Sequence, residues 1–320
     1  MNRIAPALAV LVLAYCPPLA LAQAYPVKPI RLITAEAGGG NDFTARAIVR
    51  GIGDSLGQQL IVDNRGGAGG IIAAEIAARA APDGYTLLVY AGNLWTIPLL
   101  KKNVPYDMAR DFAPVTWAAR SPSTLVVHPA LPVKSVRDLI ALAKARPGEL
   151  NYSRASAGGA SHLSAELFKS MASVNFLPVP YKGGGPALLA VLGGEAELTF
   201  ASAGSVFAPL KMNRVRALAV TTAEPSRLFP GVPTIAAAGL PGFEAILVNG
   251  FFAPAGTPPV IVNALSQEVA QILRKPEVME RFFSTGMETV GSTPATLDAM
   301  VKSDIANWGR LIRAAKIRIE

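Results

Sequence analysis

The sequence predicts an α/β protein of two lobes, each a mainly parallel sheet flanked by helices, joined by crossing strands that act as hinges. Three observations carry this reading. Short β-branched runs alternate with amphipathic stretches three times in under eighty residues after Ile30, the pattern of right-handed βαβ units. A second such series begins near residue 135, and long strand-like runs at 112–118, 124–128 and 243–253 separate the two. The length of 320 residues leaves room for two cores. The division expected is a leader at 1–24, a first lobe from 25–122 plus 245–320, and a second from 123–244.

The first unit sets the theme. Ile30, Leu32 and Ile33 form a strand, Gly38, Gly39 and Gly40 a turn, and Asn41 or Asp42 caps a helix. Phe43, Ala47, Ile48, Ile52 and Leu56 fall on one face of that helix. Such a turn either presents backbone N–H groups to an anion at the positive end of a helix dipole or is a tight strand–helix turn that binds nothing. A strand at 60–63, the run Asn64-Arg-Gly-Gly-Ala-Gly-Gly70, a helix at 71–80 and a strand at 86–90 follow. Ile72 stands where G-x-G-x-x-G needs its last glycine, so a dinucleotide site is not expected. In the second series, helix 135–146 is capped by Ser135 and stopped by Pro147-Gly148. Strand 150–153, a small-residue loop at 154–161, helix 162–171, strand 176–180, helix 186–192 and strands 197–200 and 216–221 come next. Helices at 258–273, 276–284 and 294–313 close the chain. Leu297, Met300, Val301, Ile305, Trp308 and Ile312 stripe the last of them, as core packing. Ligands in open α/β sheets sit at the carboxyl ends of strands. The loops 34–42, 90–95, 154–162 and 201–205 are therefore expected to face one cleft.

Composition narrows the function classes. The chain is 51% hydrophobic and 16% charged, as in a compact globular protein. The first 24 residues carry one charged side chain, Arg3, then an apolar run at 8–14 and Ala22-Gln23-Ala24, the signature of a secretory signal peptide. Cys16 lies inside it behind Tyr15, which is too bulky for a lipidation site; cleavage after Ala24 leaves no cysteine and no disulfide. The net charge of +8 favours anions in general. Its lysines and arginines are scattered and no nucleic-acid motif is present, so no nucleic-acid partner is expected.

The chemical inventory is short. His162 and Glu166 share a helix face, but H-E-x-x-H is absent and no metal or cofactor is expected. His128, before Pro129, is read as structural. Ser156 and Ser202 lack the first glycine of a nucleophile elbow and are read as hydrogen-bonding loop serines, so no catalytic residue is assigned. Arg154 either pairs with a ligand carboxylate or lies solvated. Tyr181-Lys-Gly-Gly-Gly185 binds an anion or merely opens the next helix. Trp95 is either core or a flat apolar wall for a ligand.

Many short motifs stand in one order from Tyr25 to the C-terminus: Tyr25-Pro-Val-Lys-Pro-Ile-Arg, Ala37-Gly-Gly-Gly-Asn-Asp42, Asp63-Asn-Arg-Gly-Gly-Ala-Gly-Gly70 and Ala81-Pro-Asp-Gly-Tyr-Thr-Leu-Leu88 among the first. Val104-Pro-Tyr-Asp, Val179-Pro-Tyr-Lys-Gly183, Gly239-Leu-Pro-Gly-Phe and Ala253-Pro-Ala-Gly-Thr-Pro continue the series. Together they resemble the Bug-type receptors of tripartite tricarboxylate transporters. The resemblance implies a type II-like periplasmic binding protein; the missing elbow, metal cluster and dinucleotide motif favour this non-enzymatic receptor over the alternative, an exported enzyme or ligand sensor on the same bilobal scaffold, and a monomer is expected. The resemblance also implies two lobes closing on a small organic carboxylate at loops 34–42 and 153–162, partly through waters, and delivery to integral-membrane transporter subunits. The ligand-binding residues this implies are Glu36, Gly38, Gly39, Gly40, Asn41, Asp42, Asn93, Trp95, Arg154, Ser156, Gly158, Gly159, Ser161, His162, Ala201 and Ser202. Three positions depart from the family pattern: Glu36 replaces an apolar residue or proline, Arg154-Ala-Ser-Ala-Gly-Gly-Ala-Ser161 shifts the usual hydroxyls, and Ala201 replaces an aspartate common in relatives. Glu36 beside the turn would repel a carboxylate. Either Arg154 neutralises it, the ligand carries a cationic or donor group as well, or Glu36 points to solvent.

Overall fold

In the computed structural model the described residues are 25–35, 37–38, 40–52, 56–155, 159–181, 183–314 and 317. The expected leader with Cys16, and Glu36, Gly39, Ser156, Gly158 and Lys182, lie outside them. The first lobe opens with β1 (Ile30–Thr34), α1 (Gly40–Ile52), β2 (Leu60–Asn64), α2 (Ile71–Ala78) and β3 (Thr86–Ala91). β1 pairs in parallel with both β2 and β3. Leu87 and Val89 join Ile30, Leu32 and Ile48 on one face of this sheet; Leu88 and Tyr90 join Ile33 and Trp95 on the other. A strand covered on both faces reads as an unbroken apolar run.

Two helices then appear that the periodicity does not announce, α3 (Asn93–Leu100) and α4 (Met108–Asp111). Pro98 lies inside α3 and removes the N–H that would bond to the Leu94 carbonyl. The Tyr106 hydroxyl donates to that carbonyl instead, at 2.9 Å. Beyond them β4 (Phe112–Val127) is a single 16-residue strand, where the sequence suggested two runs flanking Ser121-Pro122. The second lobe follows with α5 (Val136–Ala145), β5 (Asn151–Arg154), α6 (Ala160–Ala172), β6 (Leu177–Pro180), α7 (Gly184–Leu192), β7 (Leu198–Ser202), α8 (Ala203–Lys211), β8 (Arg216–Val220) and α9 (Ile235–Ala238). The Ser135 hydroxyl caps α5 as expected, accepting from the Asp138 N–H at 3.1 Å. The chain returns through β9 (Ile246–Pro254) to α10 (Pro259–Leu273), α11 (Pro276–Ser284), β10 (Glu288–Thr289) and α12 (Pro294–Ala314).

The strands run in the order β2-β1-β3-β9-β4-β7-β5-β6, with β8 and β10 also on β4. The βα units pair in parallel, as β5 does with β6 and β7. The crossing strands add antiparallel pairs, β9 with β3 and β4, and β4 with β7 and β8, so each lobe's sheet is mixed. β4 changes partner at Pro122: Pro122 faces Ile246 of β9, and Ser123 faces Ser202 of β7. A proline lacks a ladder donor and is tolerated where pairing ends. β6, with Pro178 and Pro180, is an edge strand for the same reason. α12 ties the lobes a second time. Its Leu297 and Val301 pack with Trp95 and Phe252, whereas Trp308, Leu311 and Ile312 pack with Tyr152 and Phe168 of the second lobe.

A close backbone approach seals the seam behind the crossing strands. Gly286 has φ +79°, and a Cβ there would stand 2.2 Å from the Gly204 nitrogen at the start of α8. Ser121 donates its hydroxyl to the Gly286 carbonyl at 2.7 Å. Strain and overlap each cost about 1–3 kcal/mol, so Gly286→Ala is expected to lose roughly 2–6 kcal/mol in urea unfolding. An unchanged unfolding midpoint contradicts this packing.

Candidate functional site

A cavity of about 380 Å³ lies between the lobes. α3 runs along it, presenting Asn93, Thr96 and Ile97, spaced as one helical face, with Lys101 just past its end. The second lobe contributes Gly159, Ala160 and Leu163 from the start of α6. Ile246, Leu247 and Val248 of the crossing strand β9 form an apolar wall, and Asp304 and Trp308 of α12 close it. A second depression of about 640 Å³ lies beyond Ile246, Asp304 and Trp308, which line both.

The N-cap residue of both α3 and α6 is a glycine, Gly92 and Gly159. The first N–H groups of a helix have no intrahelical acceptor, and a glycine has no side chain to fill them. Two helix starts bordering one apolar cavity give a positive potential, to which Lys101 on the same wall adds.

Of the residues singled out from sequence, Asn93 and Gly159 border the cavity among the described residues. Asn93 donates its amide to the Gly69 carbonyl at 2.9 Å, as does the Tyr90 hydroxyl at 2.8 Å. The glycine run 66–70 is thus a wrap over Tyr90: a Cβ on Gly70, whose φ is +95°, would fall 1.1 Å from the Tyr90 oxygen. The turn at 38–42 is held from within. The Gly38 N–H donates to Asp42 at 2.9 Å, Arg46 and Asn64 donate to the same carboxylate, and Asn249 and Thr44 donate to the Gly40 carbonyl. Burial pushes the Asp42 carboxyl up, but Arg46, the Gly38 N–H and Asn64 outweigh it and hold it below the usual carboxylate range. Asp42 therefore braces the turn, and Asn41, beside it, keeps a buried side-chain oxygen without a hydrogen-bond partner.

Trp95 is 1% exposed and offers no wall to a ligand; its indole N–H donates to Asp304 at 2.7 Å. Ser161 accepts from the Ala155 N–H at 3.1 Å and so closes its own loop. Arg154 donates to the Ala155 carbonyl at 3.3 Å, and its Nε is buried without a partner. Ala201 is buried opposite Thr124, and Ser202 is exposed and donates to Ser205. The 201–205 segment packs against Thr285 and Gly286 and is absent from the described cavity lining. Sequence reasoning missed Thr96, Ile97, Lys101, Leu163, Asp304 and Trp308. The signal available for the last two was a carboxylate four residues before a tryptophan, beside the apolar stripe of α12.

Behind the α6 start lies a buried polar network. Glu166 accepts from the Tyr152 hydroxyl at 2.8 Å and from Lys169 at 2.9 Å, and stands 4.0 Å from His162 Nε2. Burial and the Arg154 charge outweigh Glu166 and pull His162 down to about 4, so the ring is neutral at pH 7. Among the described residues no group of three histidine, cysteine or acidic side chains is placed to hold a metal, and no helix is long and apolar enough to cross a membrane.

Two α/β lobes spanned by crossing strands over a cavity define the fold of the periplasmic solute-binding proteins. Within that class the chain belongs to the family described as Tripartite tricarboxylate transporter family receptor, whose model matches residues 44–317. It is 35% identical to Protein BugT of Bordetella pertussis over 93% of both chains. Among solved structures it is similar to R. palustris Rpa4515 with adipate, at 37% identity and a TM-score of 0.79 over 92% of this chain and 99% of that one. It is also similar to MatC from Rhodopseudomonas palustris with bound malate, at 30% identity and a TM-score of 0.75 over 90% and 100% of the two chains. This is a family of substrate-binding receptors.

His162 makes stability depend on pH with a definite sign. Its folded value lies below the unfolded value near 6.5, so the unfolded chain binds more protons between the two. The contribution is complete above pH 6.5 and is lost as pH falls to about 4. At about 1.4 kcal/mol per pH unit the loss is on the order of 3 kcal/mol. Urea unfolding of the wild type and His162→Gln across this window is expected to show a steeper decline for the wild type. Parallel curves contradict a neutral His162.

Proposed function

We propose that this protein is an exported receptor that binds a small organic carboxylate in the cavity between its lobes and delivers it to integral-membrane transporter subunits. The observation that carries the reading is the meeting of two glycine-capped helix starts, α3 and α6, at one apolar cavity. Carboxylates held by two relatives of this family, adipate and malate, support it. On this reading residues 1–24 are a signal peptide and the mature protein is a periplasmic monomer without enzymatic activity. The lobes are 25–122 with 245–320, and 123–244, and α12 straps one to the other. Arg154, with its buried unpaired Nε, stands behind the α6 loop as a further donor.

The test places a charge where the ligand's own charge belongs. Ala160 is the first residue of α6 and borders the cavity. An acid in the first turn of a helix favours the helix, so Ala160→Asp is expected to fold with an undiminished melting temperature. It should weaken calorimetric binding of adipate by about tenfold or more, through like-charge repulsion in a poorly screened site. Full affinity in the folded variant removes the α6 start from the site.

A further inference from the structure

Several acids that the fold buries or half-buries have a cation beside them, whereas Asp304, like Glu197 and Glu268, has none among the described residues. Asp42 pairs with Arg46, Asp63 with Arg31 and Arg65, Glu166 with Lys169, and Glu288 with Arg120. Asp304 borders the cavity, and among the described residues no Lys, Arg or His stands within ion-pair distance of it. Its hydrogen-bond donor is the Trp95 indole at 2.7 Å, and Trp308 lies one turn further along α12. An indole N–H only donates, and an ionised carboxylate has about four acceptor positions. Trp95 therefore holds the carboxylate as an acceptor and leaves it room for further donors. Trp95 is packed in the first-lobe core and Trp308 in the second, so the carboxylate sits at the seam of the two cores.

We propose that Asp304 reads the end of the ligand remote from its carboxylate. It selects ligands that carry a hydrogen-bond donor there, a hydroxyl or an ammonium group, over ligands that are apolar or carboxylated at that end. This rests on the carboxylate reading of the same cavity. Burial pushes the Asp304 carboxyl up, and Glu244 adds to this, while the two indoles oppose it. The group is thus the reverse of Asp42 and Asp63, whose cations hold them down. A ligand ammonium supplies the cation that the fold withholds; a second carboxylate placed there repels an unpaired acid. The aliphatic walls, Ile71, Ile97, Leu163 and Val248, suit a hydrocarbon body between the two polar ends.

The experiment measures calorimetric affinity for a matched series: hexanoate, its terminally hydroxylated and aminated derivatives, adipate, and hexylamine. The wild type is expected to bind the hydroxylated and aminated acids about tenfold more tightly than hexanoate, with adipate below both. The advantage of the aminated acid should grow with rising pH, since burial raises the Asp304 carboxyl and only its ionised form pairs with an ammonium group; Glu244 lies beside it and Lys101 stands on the cavity wall. Asp304→Asn, checked for folding by its melting curve, should remove the preference for the ammonium group and leave hexanoate affinity within about threefold. A wild type that ranks all the acids equally, with Asp304→Asn unchanged, overturns the role of Asp304 and leaves the carboxylate reading intact. Binding of hexylamine without binding of any acid overturns the carboxylate reading while supporting Asp304. Binding of nothing in the series overturns both.

Discussion

The structure depends on β4 being one hydrogen-bonded ribbon shared by both lobes. Its first part is paired with β9 and its last part with β7 and β8, and the change of partner falls at Pro122, where a missing donor costs nothing. β9 returns beside it, so the lobes are joined by two adjacent antiparallel strands. Any opening or closing must twist this ribbon, since separating it would break ladder bonds worth about 1 kcal/mol each. α12, with one end in each core, limits the motion further. The cavity forms where the ribbon, α12 and the two lobes meet.

That placement sets its electrostatics. On the proposed reading the anion is met by main-chain N–H groups at the starts of α3 and α6, which backbone geometry holds in place, with Lys101 on the same wall. Apolar walls from β9 and Leu163 lower the local dielectric and strengthen their effect. The polar residues nearby act mainly as braces: Asn93 and Tyr90 hold the glycine run, Ser161 closes its loop, and Asp42 with Asn64 and Arg46 fixes the turn before α1. Asp304 is the acidic counterweight, oriented by the Trp95 indole.

Much of the fold was legible because its signals are local. The βα alternation, the Ser135 cap and the α12 stripe all depend on spacings within one element. In the glycine run at 66–70, Gly70 serves to clear Tyr90. What was hidden depended on distant compensation. α3 contains Pro98, and only the Tyr106 hydroxyl, brought from beyond the helix, satisfies the carbonyl that the proline abandons. β4 contains Ser121-Pro122, which reads as a break until the switch of partners is known. The site was half legible for the same reason. The helix after the 154–161 loop follows from strand–turn–helix order, but 90–95 reads as a loop and hides the start of α3, and Asp304 enters the cavity from a helix more than 140 residues beyond Gly159, through packing that no local pattern encodes.

The most direct test of this account is a crystal structure of the protein with adipate in the cleft. The account predicts one carboxylate within hydrogen-bond distance of main-chain N–H groups at the start of α6, with the start of α3 facing the same group and the hydrocarbon chain against Ile246 and Val248. A carboxylate bound in the cleft away from both helix starts would contradict it.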